Sequence, residues 1–152
     1  MRDVETVDPP PGFLPGPATR IGIFMSVTNV HVNRMPADGT VRWISYHPGT
    51  FRDARSPQAL KHNEHNFVGL ELDDGRKVLV NQIAGAVARR IVCAAAVGDR
   101  FRRGQRFGMV KFGSRVELYL PEADQYDILA KPGDKVRAGL SVLAVSTPRV
   151  TS

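Results

Sequence analysis

The segment Lys111-Phe-Gly-Ser-Arg115 sets a serine directly after a glycine, between two strand-like runs. A serine hydroxyl in a strained turn can attack the carbonyl of the residue before it, here Gly113, and convert the peptide bond into an ester. Glycine leaves that carbonyl open and tolerates unusual backbone angles. β-Elimination of the ester divides the chain and leaves a dehydroalanine, and hydrolysis of that group gives an N-terminal pyruvoyl. Such a group can form an imine with an amine and act as an electron sink. By itself the Gly113-Ser114 pair also reads as an ordinary turn, because short motifs recur by chance.

Three further constellations could do chemistry. In His31-Val-Asn-Arg-Met-Pro36, strand alternation places His31, Asn33 and Met35 on one side. A histidine there could serve as general base for Ser114 or as proton donor at a carbanion, or simply hydrogen-bond the backbone. His62-Asn-Glu-His65 has an i, i+3 histidine pair beside a glutamate, but it lacks further ligands and the H-E-x-x-H pattern. It reads as a polar loop, with no metal expected. A basic cluster comprises Arg89, Arg90, Arg100, Arg102, Arg103, Arg106, Lys111 and Arg115, opposed between residues 89 and 115 only by Asp99. It flanks Gly113-Ser114 and makes Arg115, Lys111 and Arg90 candidates for an anionic substrate or membrane surface, against the plainer reading of a solvated basic face.

The elements that must position these residues are strands. Ile21–Val27, Val30–Arg34, Thr40–Tyr46, Phe67–Leu72 and Lys77–Ile83 are apolar or alternating runs bounded by turn residues. Pro36-Ala-Asp-Gly39 and Asp73-Asp-Gly75 read as turns, the second closing a hairpin. Residues 52–66 read as a long polar loop with a helical turn around Pro57–His62, and Ala84–Cys93 is ambiguous between helix and strand. Val97-Gly-Asp-Arg-Phe-Arg-Arg-Gly-Gln105 repeats as Pro132-Gly-Asp-Lys-Val-Arg-Ala-Gly-Leu140, each copy followed by a strand-like run, Phe107–Phe112 and Val142–Val145. The repeat predicts a mostly β fold with duplicated hairpin units and few short helices. It resembles the barrel-sandwich hybrids of lipoyl and biotinyl carrier domains. Residues 1–19, with five prolines between Pro9 and Pro17, predict an extended arm ahead of a single domain over residues 20–148.

Composition narrows the class. The 152 residues include 21 Lys plus Arg against 15 Asp plus Glu, a net charge of +6. That balance favours an anionic partner. No apolar run approaches the ~18 residues that span a bilayer, and MRDVETVDPP has no apolar core of a secretory signal. One cysteine, Cys93, excludes an intramolecular disulfide and multi-cysteine metal clusters. With 7% aromatics and one tryptophan, Trp43, stacking platforms for nucleic acid are sparse, so no nucleic-acid partner is expected.

Taken in order, Ile23-Phe-Met-Ser26, His31-Val-Asn-Arg34, Tyr46-His-Pro-Gly-Thr-Phe51, Asn63-Glu-His-Asn66, Gln82-Ile-Ala-Gly85, Ala88-Arg-Arg-Ile-Val-Cys93, Gly104-Gln-Arg-Phe-Gly108, Lys111-Phe-Gly-Ser-Arg115 and Tyr119-Leu-Pro121 resemble the pyruvoyl-dependent phosphatidylserine decarboxylase family, most closely its short bacterial and archaeal-type branch. The resemblance covers about residues 20–146. It implies a proenzyme, a carboxy-lyase zymogen of phospholipid biosynthesis, that cleaves itself between Gly113 and Ser114. The β-chain would end at Gly113, and the α-chain would begin with a pyruvoyl cofactor made from Ser114. The amine of phosphatidylserine would form a Schiff base there, lose CO2 and leave as phosphatidylethanolamine, with His31 as the proton-transfer residue. It further implies a heterodimer of the two fragments, held peripherally on the cytoplasmic side of the cell membrane against an anionic lipid surface. Family members carry an earlier hydrophobic segment with an acidic P-A-D-G motif, expected to lie outside this chain. Pro36-Ala-Asp-Gly39 follows the His31 segment instead, so the acidic role is not carried onto Asp38. The alternatives are a truncated, inactive family member and a non-enzymatic carrier-like β domain with Lys111 in the turn.

Overall fold

Lys77–Ile83 (KVLVNQI) is buried at every position after the first, the signature of a strand covered on both faces. It lies inside a seven-stranded antiparallel sheet. The computed structural model describes residues 2–14, 16–24, 32–49, 63–73, 75–84, 91–110, 115–121, 126–128 and 144–146. In chain order the strands are β1 (Arg2–Val7), β2 (Ala18–Phe24), β3 (Val32–Arg34), β4 (Gly39–His47), β5 (His65–Leu72), β6 (Lys77–Ile83), β7 (Ile91–Cys93), β8 (Arg100–Phe101), β9 (Arg106–Val110), β10 (Arg115–Pro121), β11 (Tyr126–Ile128) and β12 (Ala144–Ser146). The large sheet runs β1-β2-β10-β6-β5-β4-β8. A three-stranded sheet runs β3-β9-β7, and β11 pairs with β12. The mostly β expectation holds. Neither a closed barrel nor any helix occurs among the described residues, and the helical turn expected at Pro57–His62 lies outside them.

The local signals act as their chemistry requires. Gly75, at φ 89°, closes the β5–β6 hairpin while Leu72 N–H donates to Arg76 O. In the first copy of the repeat Gly98 takes φ 99°, and the Asp99 carboxylate accepts from Ala96 N–H at 2.9 Å. That is an Asx hydrogen bond closing a turn. The second copy, at Pro132–Leu140, lies outside the described residues. Of the ambiguous stretch at 84–93, Ile91–Cys93 is strand.

One face of the large sheet carries Ile21, Val41, Val68, Leu70, Val78, Val80, Leu118 and Leu120, covered by Phe107 of β9, with Met35 and Phe101. Full burial of each large side chain contributes about 1.5–3 kcal/mol. The opposite face carries Leu79, Phe67, Tyr119 and Trp43. Within the expected arm, Arg2–Val7 adds an edge strand to β2. The proline-rich segment then folds over the sheet. Phe13 stacks on Trp43 at 5.9 Å and 6°, and a Cβ at Gly69 would lie 2.8 Å from the Phe13 ring. Gly69 therefore lets the aromatic ring rest directly on backbone.

Candidate active site at the junction between two sheets

β9 ends at Val110 in the small sheet and β10 begins at Arg115 in the large one. Residues 111–114, which contain the Gly113-Ser114 bond, thus connect strands of two different sheets. Both flanks are held by backbone ladders. β9 lies between β3 and β7, with Val32, the residue after His31, opposite Met109. β10 lies between β2 and β6, with Arg115 opposite Phe24 on one side and Ile83 on the other. His31, Arg90, Lys111, Gly113 and Ser114 themselves lie outside the described residues.

Arg115 opens β10, and its guanidinium turns inward. It is 6% exposed, and its Nε donates to Glu117 Oε2 at 3.0 Å. Glu117 is 1% exposed and saturated with donors. Its Oε1 accepts from Tyr119 Oη at 2.8 Å and from Asn81 Nδ2 at 3.0 Å. Arg20 Nε stands 3.5 Å from Oε2, and Arg20 Nη2 donates to Glu5 Oε2 at 2.8 Å. Two guanidinium groups and two carboxylates therefore balance across β1, β2 and β10, with Asn81 of β6 donating to the inner carboxylate. The register explains the assembly, because Glu117 faces Asn81 and Tyr119 faces Arg20 across the ladders. Arg115, expected as an anion-binding side chain in the basic cluster, is thus a buried partner of Glu117. Arg102, Arg103 and Arg106 are exposed, and Arg100 forms an exposed two-point pair with Asp73 at 2.7 and 2.9 Å. The described members of the cluster do not form one continuous face.

Burial first, and then the negative charge of Glu117, push the Tyr119 phenol far above its ordinary 10.0. The sign follows from the folded state favouring the protonated phenol. The contribution is fully present below the unfolded value and is lost as pH rises beyond it. Tyr119→Phe is expected to remove part of the stability loss that wild type shows on raising pH from about 9 to 11, a difference read from thermal melts at each pH.

The same end of the sheet holds a histidine pair. His47 and His65 stack at 4.7 Å and 11°, in the cross-strand row that continues through Ile83 to Arg115. His65 Nδ1 lies 2.7 Å from Asn63 O, an acceptor, so that nitrogen carries the proton. Burial and then the charge of His65 lower the pKa of His47. Asn63 Nδ2 donates to Ala84 O at 2.7 Å, and Tyr46 Oη donates to the Glu64 carboxylate. Asn63, Glu64 and His65 of the His62–His65 stretch are therefore engaged in holding strand ends together. Among the described residues no three His, Cys, Asp or Glu groups converge as a metal site. Asp38, in the displaced P-A-D-G, accepts from Arg103 N–H at 2.7 Å and fixes a turn.

The sequence reading singled out Arg115 and missed Glu117, Tyr119, Asn81 and Arg20. The available signal was three polar residues at alternate positions, 115, 117 and 119, of a run whose other members are apolar.

The fold and the junction define a class: an antiparallel β protein in which a Gly-Ser bond links two sheets that each grip one flank. The phosphatidylserine decarboxylase family model matches residues 13–144, and the chain belongs to that family. It is 46% identical over 146 residues to a phosphatidylserine decarboxylase proenzyme of Gluconobacter oxydans, across 95% of this chain and 64% of that protein. It is 48% identical over 126 residues to the one of Ruegeria pomeroyi, across 83% and 57%. For the one of Symbiobacterium thermophilum the match is 46% over 143 residues, across 94% and 64%. The chain thus spans roughly three-fifths of the length of these relatives. No solved structure matches it.

Proposed function

We propose that this chain carries the self-processing and decarboxylating centre of a phosphatidylserine decarboxylase proenzyme. The observation that carries the reading is the Gly113-Ser114 bond in a four-residue connection between two ladder-held strands, in a chain of this family. Ser114 Oγ attacks the Gly113 carbonyl, and the Ser114 nitrogen leaves as an amine. Loss of the Ser114 α-proton then expels Gly113 as a carboxylate that keeps both oxygens. Water replaces nitrogen in the resulting dehydroalanine and releases ammonia, so hydrolysis and elimination balance without an oxidant. His31 is the proposed base and later the proton donor.

The pyruvoyl group so formed would hold the substrate amine covalently and accept the electron pair freed with CO2. The chain end fits it: Arg115, the next residue, is buried and fixed, so a group preceding it is presented from a rigid strand rather than from a loose terminus. The two fragments would remain a heterodimer, because β10 of the α-chain lies between β2 and β6 of the β-chain. Lys111 and Arg90 are proposed to meet the anionic head group, and the +6 chain to lie peripherally on the cytoplasmic, anionic membrane face. Among the described residues no helix is long and apolar enough to cross a membrane.

The test is CO2 release from phosphatidylserine vesicles. Purified cleaved protein is expected to yield phosphatidylethanolamine, with activity falling as salt rises. Cleaved protein that leaves phosphatidylserine unchanged would overturn the assignment of substrate.

A further inference from the structure

We propose that Glu117 is a positioning residue for the Gly113-Ser114 junction, acting through Arg115; this rests on the self-cleavage reading above. The carboxylate holds Arg115, the residue that follows the reacting bond, and it is braced from three strands: Asn81 on β6, Arg20 on β2 and Tyr119 on β10. Arg20 is itself tied to Glu5 on β1.

Stability alone does not account for this arrangement. Burying a carboxylate and a guanidinium carries a large desolvation cost before their attraction is counted, and well-packed apolar pairs often do as well or better. Asn81 adds to the cost. Its amide nitrogen is given to Glu117 while its buried Oδ1 finds no partner among the described residues. What the network supplies is direction. A two-point path from β6 and β2 through Glu117 to Arg115 sets the rotation of the first β10 residue about the strand axis. The acyl shift depends on that orientation, because an intramolecular attack loses on the order of 100-fold for a displacement of about 1 Å.

The experiment compares full-length wild type, E117Q, E117D and the double variant R115M/E117L. The measurements are the rate of self-cleavage, the melting temperature, and kcat and KM of the matured fraction. E117Q keeps the shape but leaves Arg115 and Arg20 without their shared counter-charge, and is expected to cleave on the order of 100-fold more slowly. E117D, which restores the charge one methylene short, is expected to recover part of that loss. R115M/E117L replaces the ion pair with apolar bulk, and should melt near wild type yet remain slow. In the variants' matured fractions kcat should fall with KM unchanged. Wild-type cleavage rates in R115M/E117L, or in E117Q should the double variant not fold, would overturn the proposal and leave self-cleavage standing. A wild-type chain that stays whole would instead overturn the self-cleavage reading, and this inference with it.

Discussion

Ser114→Ala is expected to run as one undivided chain of residues 1–152 and to leave phosphatidylserine untouched. The substitution removes only Oγ, the atom assigned to the attack on Gly113. A neighbouring nucleophile held against its target is worth an effective concentration of roughly 10⁵–10⁸ M, so water does not replace it on any practical timescale. The effect on cleavage is therefore near complete rather than graded. Loss of decarboxylation follows because no pyruvoyl precursor remains. Ser114→Cys, which keeps a nucleophile, is expected to cleave slowly. Denaturing electrophoresis after prolonged incubation reads both results. Fragments of residues 1–113 and 114–152 arising in Ser114→Ala would show that another group makes the cut.

The second large effect is structural and bears on the other flank of the junction. Gly108 lies on β9, opposite Cys93 of β7. A Cβ there would sit 2.3 Å from Val92 O and 2.7 Å from Gln82 Nε2. The first of these atoms is backbone in a paired strand and cannot rotate away. The two are also bonded to each other, Gln82 Nε2 donating to Val92 O at 3.1 Å, and that bond links the large sheet to the small one. A methyl group therefore separates β7 from β9 and breaks a bridge between sheets at the same time. Gly108→Ala is expected to cost about 3 kcal/mol, at the upper end for overpacking. For a chain of this size that is a drop in melting temperature of roughly 6–12 °C. Self-cleavage should slow as well, since β9 delivers the chain to residue 111. Gly98→Ala is the comparison: open space surrounds that position, and only its φ of +99° opposes a side chain. Its cost should stay near 1 kcal/mol. Equal losses in the two variants would mean that the close approach at Gly108 is not what the sheets depend on.

What the sequence made legible was local. The Lys77–Ile83 strand and the Asp73–Gly75 turn follow from apolar runs and positive-φ chemistry, and both stand where those signals put them. The order of strands was not legible. β10 enters the sheet between β2 and β6, far from both in the chain, and no local propensity encodes such a pairing. The docking of Phe13 on Trp43 was hidden for the same reason, with Pro9–Pro17 speaking only for an absence of helix and central strand. The candidate site divides in the same way. Gly113, Ser114 and His31 could be named from residue type and family resemblance. Glu117 could not, because Arg115-Val-Glu-Leu-Tyr-Leu120 has the polar-apolar alternation of a strand with one wet face. In the folded chain that face is covered, and the polar side chains converge on Glu117 from three strands. The burial of Arg115 was hidden by this same alternation: in a list of basic residues it counts as charge, and only the folded chain shows its partner two positions on drawing it inside.

The central claim is that Ser114 becomes the pyruvoyl end of a new chain. The intact mass of the C-terminal fragment of the purified protein tests it most directly. The expected mass is that of Ser114–Ser152 lighter by one ammonia, shifted further by hydroxylamine, which reacts with the carbonyl. A fragment carrying the full mass of a free N-terminal serine, or an undivided chain that still decarboxylates phosphatidylserine, would contradict it.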